Sequence, residues 1–442
     1  MKRLLSILVD VAVVYGSILF AFYILEKNDM LDDFRRNFNA FQSVYPFIGV
    51  LFLILLYVYR LYDISRKTLT DVIYTVLLVS VSMSIGIMGI CFFIRDVALA
   101  FPRSVIVISG LLTSLFLILK NVIHWFISHR SHTVKKIVIF GNNAEKLRKI
   151  INDNYLQYYE VIGQYSDYDP ALLENIGLID EVFICSDIKS KIREKILPIC
   201  IKHNKEICFI PQFFDISIIS SSLYKMGDIP AFRISNMELS PEERAVKRFI
   251  DLLFGIVAAV LSLPVWLTLV LLIKLDGGPV FYLQERLTRG NKRFKIIKFR
   301  TMIPDAEKMS GPVLAGDNDP RITSLGKFVR LLRLDELPQL INIINGDMSL
   351  VGPRPERPFF SEQFEKEIPE YPFRLKVKAG LTGLAQVEGK YNTSVEDKLR
   401  YDLLYINNYS LLGDFIIMLQ TIKILFLKES TEGISKNDAV DQ

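Results

Sequence analysis

"FIDLLFGIVAAVLSLPVWLTLVLLIKL", Phe249 to Leu275, exceeds the ~20 apolar residues that cross a bilayer, yet Pro264 sits near its middle. Proline lacks a backbone donor and crowds the preceding turn, so it bends or breaks a helix. Lys247 and Arg248 precede the run, and Lys274 lies at its end. A dense basic stretch follows, with Arg286, Arg289, Lys292, Arg293, Lys295, Lys298 and Arg300. Basic flanks stay on the cytoplasmic side, and a straight crossing would export the more basic of these two. A re-entrant helix broken at Pro264 keeps both inside. The alternative is an ordinary kinked fifth span.

The remainder of the chain agrees with a membrane protein. Its 442 residues have room for two or three domains, and 51% of them are hydrophobic. The mean hydropathy of +0.30 is high for a soluble chain. Four further runs are expected to span: Leu4–Leu25, Val44–Tyr59, Val72–Ile94 and Val105–Ile127. Lys2 and Arg3 precede the first, Arg60, Arg66 and Lys67 separate the second from the third, and Arg130, Lys135 and Lys136 follow the fourth. That pattern puts the N-terminus and everything after the fourth span in the cytoplasm. The first run is too long for a signal-peptide core and lacks a small-residue cleavage site. Asp10, inside it, is expected to face a neighbouring helix. Cys91, Cys185, Cys200 and Cys208 form no CxxC pair, so buried free thiols are expected and no zinc site.

From about Thr133 to Asn236 strands alternate with helices. "VKKIVIFGN" reads as a strand ending at Gly141, "IDEVFIC" and "EICFIP" as two more, with a helix between them carrying Ile192, Ile196 and Ile199 on one face. This is a small parallel, Rossmann-like α/β domain. Its first turn, "GNNAEK", has one glycine where a dinucleotide fingerprint has three, which favours a structural or regulatory module over a nucleotide site.

Beyond the basic stretch, in which "FKIIKFR" alternates like a strand, comes "LDELPQL" from Leu334 and then "GDMSLVGPRPE" from Gly346. The acid pair fits a helix start. Adjacent helical residues point about 100° apart, so Asp335 and Glu336 cannot form a dyad on one face. Two separate roles follow. Asp335 would stay ionised beside the positive end of the helix and attack phosphorus, and Glu336 would bind magnesium. Arg354, between two prolines, is stiffly held for a bidentate grip on phosphate. The basic stretch suits either an anionic lipid surface or, beside these carboxylates, a diphosphate.

These segments together carry a family likeness. "KLDGGPVFYLQERLTRGNKRFKIIKFRTM", "LDELPQLINIINGDMSLVGPRPE", "GLTGLAQVEGKYN" and "YDLLYINNYSLLGD" occur in order between about Ser240 and Glu429. That segment resembles the sugar transferase domain of polyprenyl-phosphate glycosylphosphotransferases, also called monotopic phosphoglycosyl transferases. The four spans and the α/β domain resemble the long members. The resemblance implies transfer of a sugar 1-phosphate from a UDP-sugar to undecaprenyl phosphate, with release of UMP. This is the first membrane step of capsule, exopolysaccharide or O-antigen assembly. It implies an aspartyl-phosphosugar intermediate on Asp335, Glu336 in a Mg2+ site, and phosphate handling by Lys298 and Arg354, to which Arg286 and Arg300 are added as neighbouring cations. It also points to glucose or galactose as the sugar and to a homodimer in a bacterial inner membrane, catalytic side cytoplasmic. No nucleic-acid partner is expected. Many relatives have Ser-Pro at the membrane break and Pro before "GLTG"; here Leu263 precedes Pro264 and Ala379 precedes Gly380. Neither departure removes a charge.

A processive membrane glycosyltransferase would need a Gln-x-x-Arg-Trp signature, but Trp125 and Trp266 both lie in apolar runs. A non-catalytic scaffold would not need the intact acid pair. The expected organisation is four transmembrane helices over 1–130, the α/β domain over 131–239, an α+β catalytic domain over 240–431 with its re-entrant helix at 249–275, and a polar tail over 432–442.

Overall fold

The computed structural model describes residues 2–62, 68–94, 101–131, 134–167, 176–219, 221–234, 236–275, 277–303, 319–389 and 393–425. Arg66, Lys67, Asp276 and the tail 432–442 lie outside the described residues. The chain forms two compact units, Met1–Val134 and Lys135–Gln442.

The first unit holds α1 (Lys2–Lys27), α2 (Phe34–Val58), α3 (Leu69–Phe93) and α4 (Arg103–Ser131), each long and apolar enough to cross a membrane. Helix α4 packs against both α1 and α3, and α2 closes the ring between those two. Helix α2 starts well before Val44, because Asp33 caps it by accepting a hydrogen bond from the Arg36 amide at 3.0 Å. The polar residues Arg35, Arg36, Asn37 and Asn39 hid that start from a hydropathy reading. Asp10 does face a neighbour: Lys120 of α4 donates to its carboxylate at 2.8 Å, and to Ser6 at 2.7 Å. Pairing offsets the cost of a charge at this depth.

The second unit begins with the expected α/β fold. Strands β1 (Lys135–Phe140), β2 (Tyr159–Tyr165), β3 (Glu181–Ile184) and β4 (Glu206–Phe209) form one parallel sheet in the order β2-β1-β3-β4. Ile137 and Ile139 pack with Ala144 and Ile151 of α5 (Ala144–Asn154) on one face. Val138 and Phe140 pack with Ile192, Ile196 and Cys200 of α6 (Ser190–Lys202) on the other. Both faces are covered, which is why β1 reads as an unbroken apolar run. Cys200 takes the fully buried place expected of Ile199. Helix α7 (Phe213–Ile219) and a hairpin of β5 (Ser222–Met226) and β6 (Ile229–Arg233) follow.

Helix α8 (Pro241–Leu275) opens with a reciprocal cap: the Glu243 amide donates to Ser240 Oγ at 3.1 Å, and the Ser240 amide donates to Glu243 Oε2 at 2.7 Å. The expected break is not seen. Pro264 lies inside one continuous helix, and the Thr268 hydroxyl donates to the Pro264 carbonyl at 2.9 Å. A proline deletes a single rung, here the bond to the Val260 carbonyl, and the turns on either side survive that loss. Both ends of α8 pack on the same domain. Gly255 approaches Ile343, while Leu269 and Ile273 join Phe299 and Val329. Between them Val260, Leu261 and Leu263 are exposed.

The rest of the domain comprises the hairpin β7 (Phe281–Thr288) and β8 (Lys292–Phe299), then α9 (Ser324–Leu331), α10 (Gln339–Asn345) and β9 (Ser349–Val351). Helix α11 (Pro358–Glu367), β10 (Gly380–Thr382), α12 (Leu384–Glu388), α13 (Val395–Asn407) and α14 (Leu411–Leu425) complete it. Ile343, Met348, Val351, Phe294, Ile296 and Ile406 form its core.

Candidate active site

Arg333, with a left-handed backbone (φ 53°), reverses the chain after α9 into a 3-10 turn over Leu334–Glu336. In such a turn residues i and i+3 eclipse. Leu334 and Leu337 accordingly pack together under the turn against the cluster of Phe299, Leu269 and Ile273. The acid pair is thus carried on a tight turn and not on the start of a helix, since α10 begins only at Gln339. The expected ionisation of Asp335 by a helix end is corrected with it. Burial raises the Asp335 carboxyl above the usual aspartate range, although Lys298 opposes this.

Glu336 behaves oppositely. Burial pushes its carboxyl up, but Arg354 and Lys298 together outweigh it and hold the group well below the usual range. Lys298 Nζ donates to Glu336 Oε1 at 2.9 Å, and Arg354 Nη2 donates to the same oxygen at 2.7 Å. The structure therefore brings together Asp335, Glu336, Lys298 and Arg354.

Each is positioned by the surrounding backbone. Asn342 of α10 accepts from the Ile297 amide at 3.0 Å and donates to the Lys295 carbonyl at 2.9 Å, which holds β8 beside the acid turn. Arg248 of α8 donates to the Ile343 and Ile344 carbonyls, both at 2.6 Å, capping the C-terminus of α10. Asp251 accepts from Ser349 Oγ and the Leu350 amide, both at 2.9 Å, and so ties β9 to α8. Arg354 leaves β9 through Gly352, where a Cβ would lie 2.4 Å from the Lys378 carbonyl oxygen. A Cβ on Gly380 would lie 2.1 Å from the Gly352 nitrogen, and one on Gly383 2.2 Å from the Gly352 oxygen.

Two expected phosphate ligands sit elsewhere. Arg300 is buried and donates to the Ile273 carbonyl at 3.2 Å and to the Gly277 carbonyl, so it clamps the C-terminal end of α8. Strand β8 ends at Phe299, and the alternation that would have turned Arg300 toward Lys298 ends with it. Arg286 lies behind the Pro-Arg-Pro loop, donating to Glu356 and to the Pro355 carbonyl, each at 3.1 Å. Burial draws its guanidinium down to about 10 despite Glu356. Pro264 belongs to α8, as described. Sequence reasoning missed Arg330 and Arg333, whose charges act on the pair, although both flank "LDEL". It also missed Arg374, which donates to the Arg354 carbonyl at 2.9 Å and has no local signal.

Among the described residues no group of three or more His, Cys, Asp or Glu is placed to hold a metal ion. Magnesium takes one or two carboxylates and completes its shell from water and substrate phosphates. The adjacent carboxylates of Asp335 and Glu336 fit that requirement, since Glu336 Oε2 takes no part in the bonds to Lys298 and Arg354.

The profile of the family described as bacterial sugar transferase matches residues 242–428. The chain is 41% identical over 205 residues, 46% of its own length and 48% of the other, to the UDP-N-acetylgalactosamine-undecaprenyl-phosphate N-acetylgalactosaminephosphotransferase of Aeromonas hydrophila. It is 31% identical over 243 residues, 51% of its length and 50% of the other, to the undecaprenyl-phosphate galactose phosphotransferase of Salmonella typhimurium. The matches thus span about half the length of those two relatives. A Bacillus subtilis protein named "Putative undecaprenyl-phosphate N-acetylgalactosaminyl 1-phosphate transferase" is 45% identical over 153 residues, 34% of this chain and 84% of that protein. The profile runs through the acid turn, both of its cations and the glycine crossing behind Arg354, and the chain belongs to the bacterial sugar transferase family.

Proposed function

We propose that this chain transfers a sugar 1-phosphate from a UDP-sugar to undecaprenyl phosphate, opening the assembly of a capsule, exopolysaccharide or O-antigen. The observation that carries the reading is the Asp335 carboxylate beside a Glu336 already paired with Lys298 and Arg354. It is also supported by relatives named for such transfers of N-acetylgalactosamine and galactose phosphates.

An Asp335 oxygen attacks the phosphorus that bears the sugar. A P–O bond to it forms, the diphosphate P–O bond breaks, and UMP leaves with the electron pair. A phosphate oxygen of undecaprenyl phosphate then attacks the same phosphorus. The bond to Asp335 breaks, its carboxylate returns, and a lipid diphosphate sugar is released. Lys298 and Arg354 bind phosphate oxygens and offset charge as it shifts to the leaving group. Glu336 orients both cations. With Asp335 it would hold magnesium, which when bound neutralises diphosphate charge. A low-lying Glu336 and a raised Asp335 separate the roles of the two acids.

The membrane arrangement proposed is re-entrant, with α8 bending at Pro264 without losing its helical continuity, and the catalytic domain on the cytoplasmic face of a bacterial inner membrane. Support comes from both ends of α8 packing on one domain while its middle is apolar and exposed. The test is a panel of UDP-glucose, UDP-galactose and UDP-N-acetylgalactosamine with undecaprenyl phosphate and magnesium. UMP release that requires the lipid supports the reading; release of UDP instead would sink it.

A further inference from the structure

We propose that Arg374 is a positioning residue for Arg354, and that the α/β domain braces it through α7. The proposal rests on the reading of Arg354 as a phosphate ligand.

In open parallel sheets the ligand crevice lies beyond the C-terminal ends of the strands, where strand order reverses. Here that point lies between β1 and β3, and the chain fills it itself. The Asn143 amide, at the start of α5, donates to Asp187 Oδ2 at 2.7 Å, so a carboxylate of the protein occupies the place a phosphate takes in nucleotide-binding relatives of the fold. A Cβ on Gly141 would lie 2.4 Å from that of Cys185, so the turn is closed down onto β3. Arg400 of α13 reaches in from the catalytic domain, donating to Ser186 Oγ at 3.0 Å and to the Pro211 carbonyl at 3.2 Å. The edge that would take a nucleotide is a seat for the catalytic domain.

Next to this seat, α7 meets the 3-10 turn Tyr371–Lys376. Phe213 stacks on Phe373 with ring centroids 5.0 Å apart and planes 10° apart. Ile216 is fully buried with Tyr371, Leu399 and Leu403. Arg374 follows Phe373 directly, and its buried guanidinium ties three segments together. Nε donates to Asp402 at 3.0 Å, Nη1 to the Tyr371 hydroxyl, and Nη2 to the Arg354 carbonyl at 2.9 Å. Only a planar fork makes all three bonds at once. Prolines on both sides leave Arg354 little freedom, so fixing its carbonyl fixes where its side chain meets Glu336. A shift of α7 is passed to the Tyr371–Lys376 turn, then to Arg374 and Arg354.

The test is a pair of double-mutant cycles on the full-length protein in detergent, using whichever of the three UDP-sugars above supports turnover. Arg354→Ala should lower kcat by about 10². Arg374→Lys keeps the charge opposite Asp402 but cannot also reach Arg354, and Phe213→Ala removes the ring stack. Each should lower kcat about tenfold in the parent and less than about twofold in the Arg354→Ala background, the non-additivity of residues acting as a unit. Phe213→Leu, which keeps apolar bulk without the stack, serves if Phe213→Ala does not fold. Equal losses in both backgrounds, or no loss in the parent, would overturn the brace while leaving Arg354 in place. An unchanged rate for Arg354→Ala itself would remove the phosphate reading, and the brace with it.

Discussion

At Asp335 burial raises the carboxyl pKa, whereas at Glu336 the charges of Arg354 and Lys298 outweigh burial and keep it low. Glu336 is held well below the usual range, so under the proposed mechanism Asp335 is the acid whose titration the rate follows. In that mechanism only its ionised form attacks, and the ionised fraction falls as pH drops through the raised pKa. The acid limb of kcat/KM therefore lies above the usual aspartate range, and Lys298→Met moves it further up because Lys298 opposes the rise. A pH series on both proteins checks this; a limb that does not move would remove Lys298 from the field of Asp335. Asp335→Asn should abolish turnover with membrane insertion intact, because an amide forms no stable acyl phosphate. Mass spectrometry of the parent should find the phosphosugar on Asp335, and real turnover by the Asn variant, checked for deamidation, would exclude that residue.

Among the elements, α8 and the β9–β10 crossing make the clearest demands. Cysteines at Ala245 and Pro279, in a protein without its native thiols, should both resist an impermeant reagent added outside intact cells. Labelling at Pro279 from outside would establish a straight crossing and overturn the re-entrant reading of α8. At the crossing, Gly380→Ala places a methyl 2.1 Å from the Gly352 nitrogen, and backbone must move to admit it. Arg354 is two residues from Gly352, so activity should fall by at least about tenfold, the scale set by misplacing a preorganised charge. Insertion should be normal. A fully active Gly380→Ala protein would show that the loop tolerates displacement.

For the molecule as a whole, the question is how much of it the chemistry needs. The acid turn, its cations and their membrane helix all lie beyond Ser240, and the family profile matches residues 242–428. A chain beginning at Ser240 should retain lipid-dependent UMP release. It loses α7, however, and with it the cover over Tyr371, Leu399 and Leu403. Its kcat should drop about as far as that of Phe213→Ala, roughly tenfold, because both release the same turn. The same truncation carrying Asp335→Asn is the silent control. Full activity in the truncated chain would confine the α/β domain to a role outside catalysis.

The apolar runs, the parallel α/β order and the basic strand "FKIIKFR" were legible because each is written in local periodicity. The family resemblance, together with the short, distinctive stretches around them, also singled out Asp335, Glu336, Lys298 and Arg354, which the structure brings together. The start of α2 was hidden by polar residues that a cap makes helical, and the continuity of α8 by a proline that a helix can absorb. Arg300 stands two residues from Lys298, yet only the end of β8 decided that one faces the acid turn and the other clamps a helix. The opposed pKa shifts of two adjacent carboxylates came from burial and from cations 18 and 38 residues distant in the chain. Arg374 gathers partners at Tyr371, Asp402 and Arg354, segments that meet only in the packed domain. Local pattern names the reactive groups, while their charge state and aim depend on contacts between remote segments, which exist only once the chain has folded.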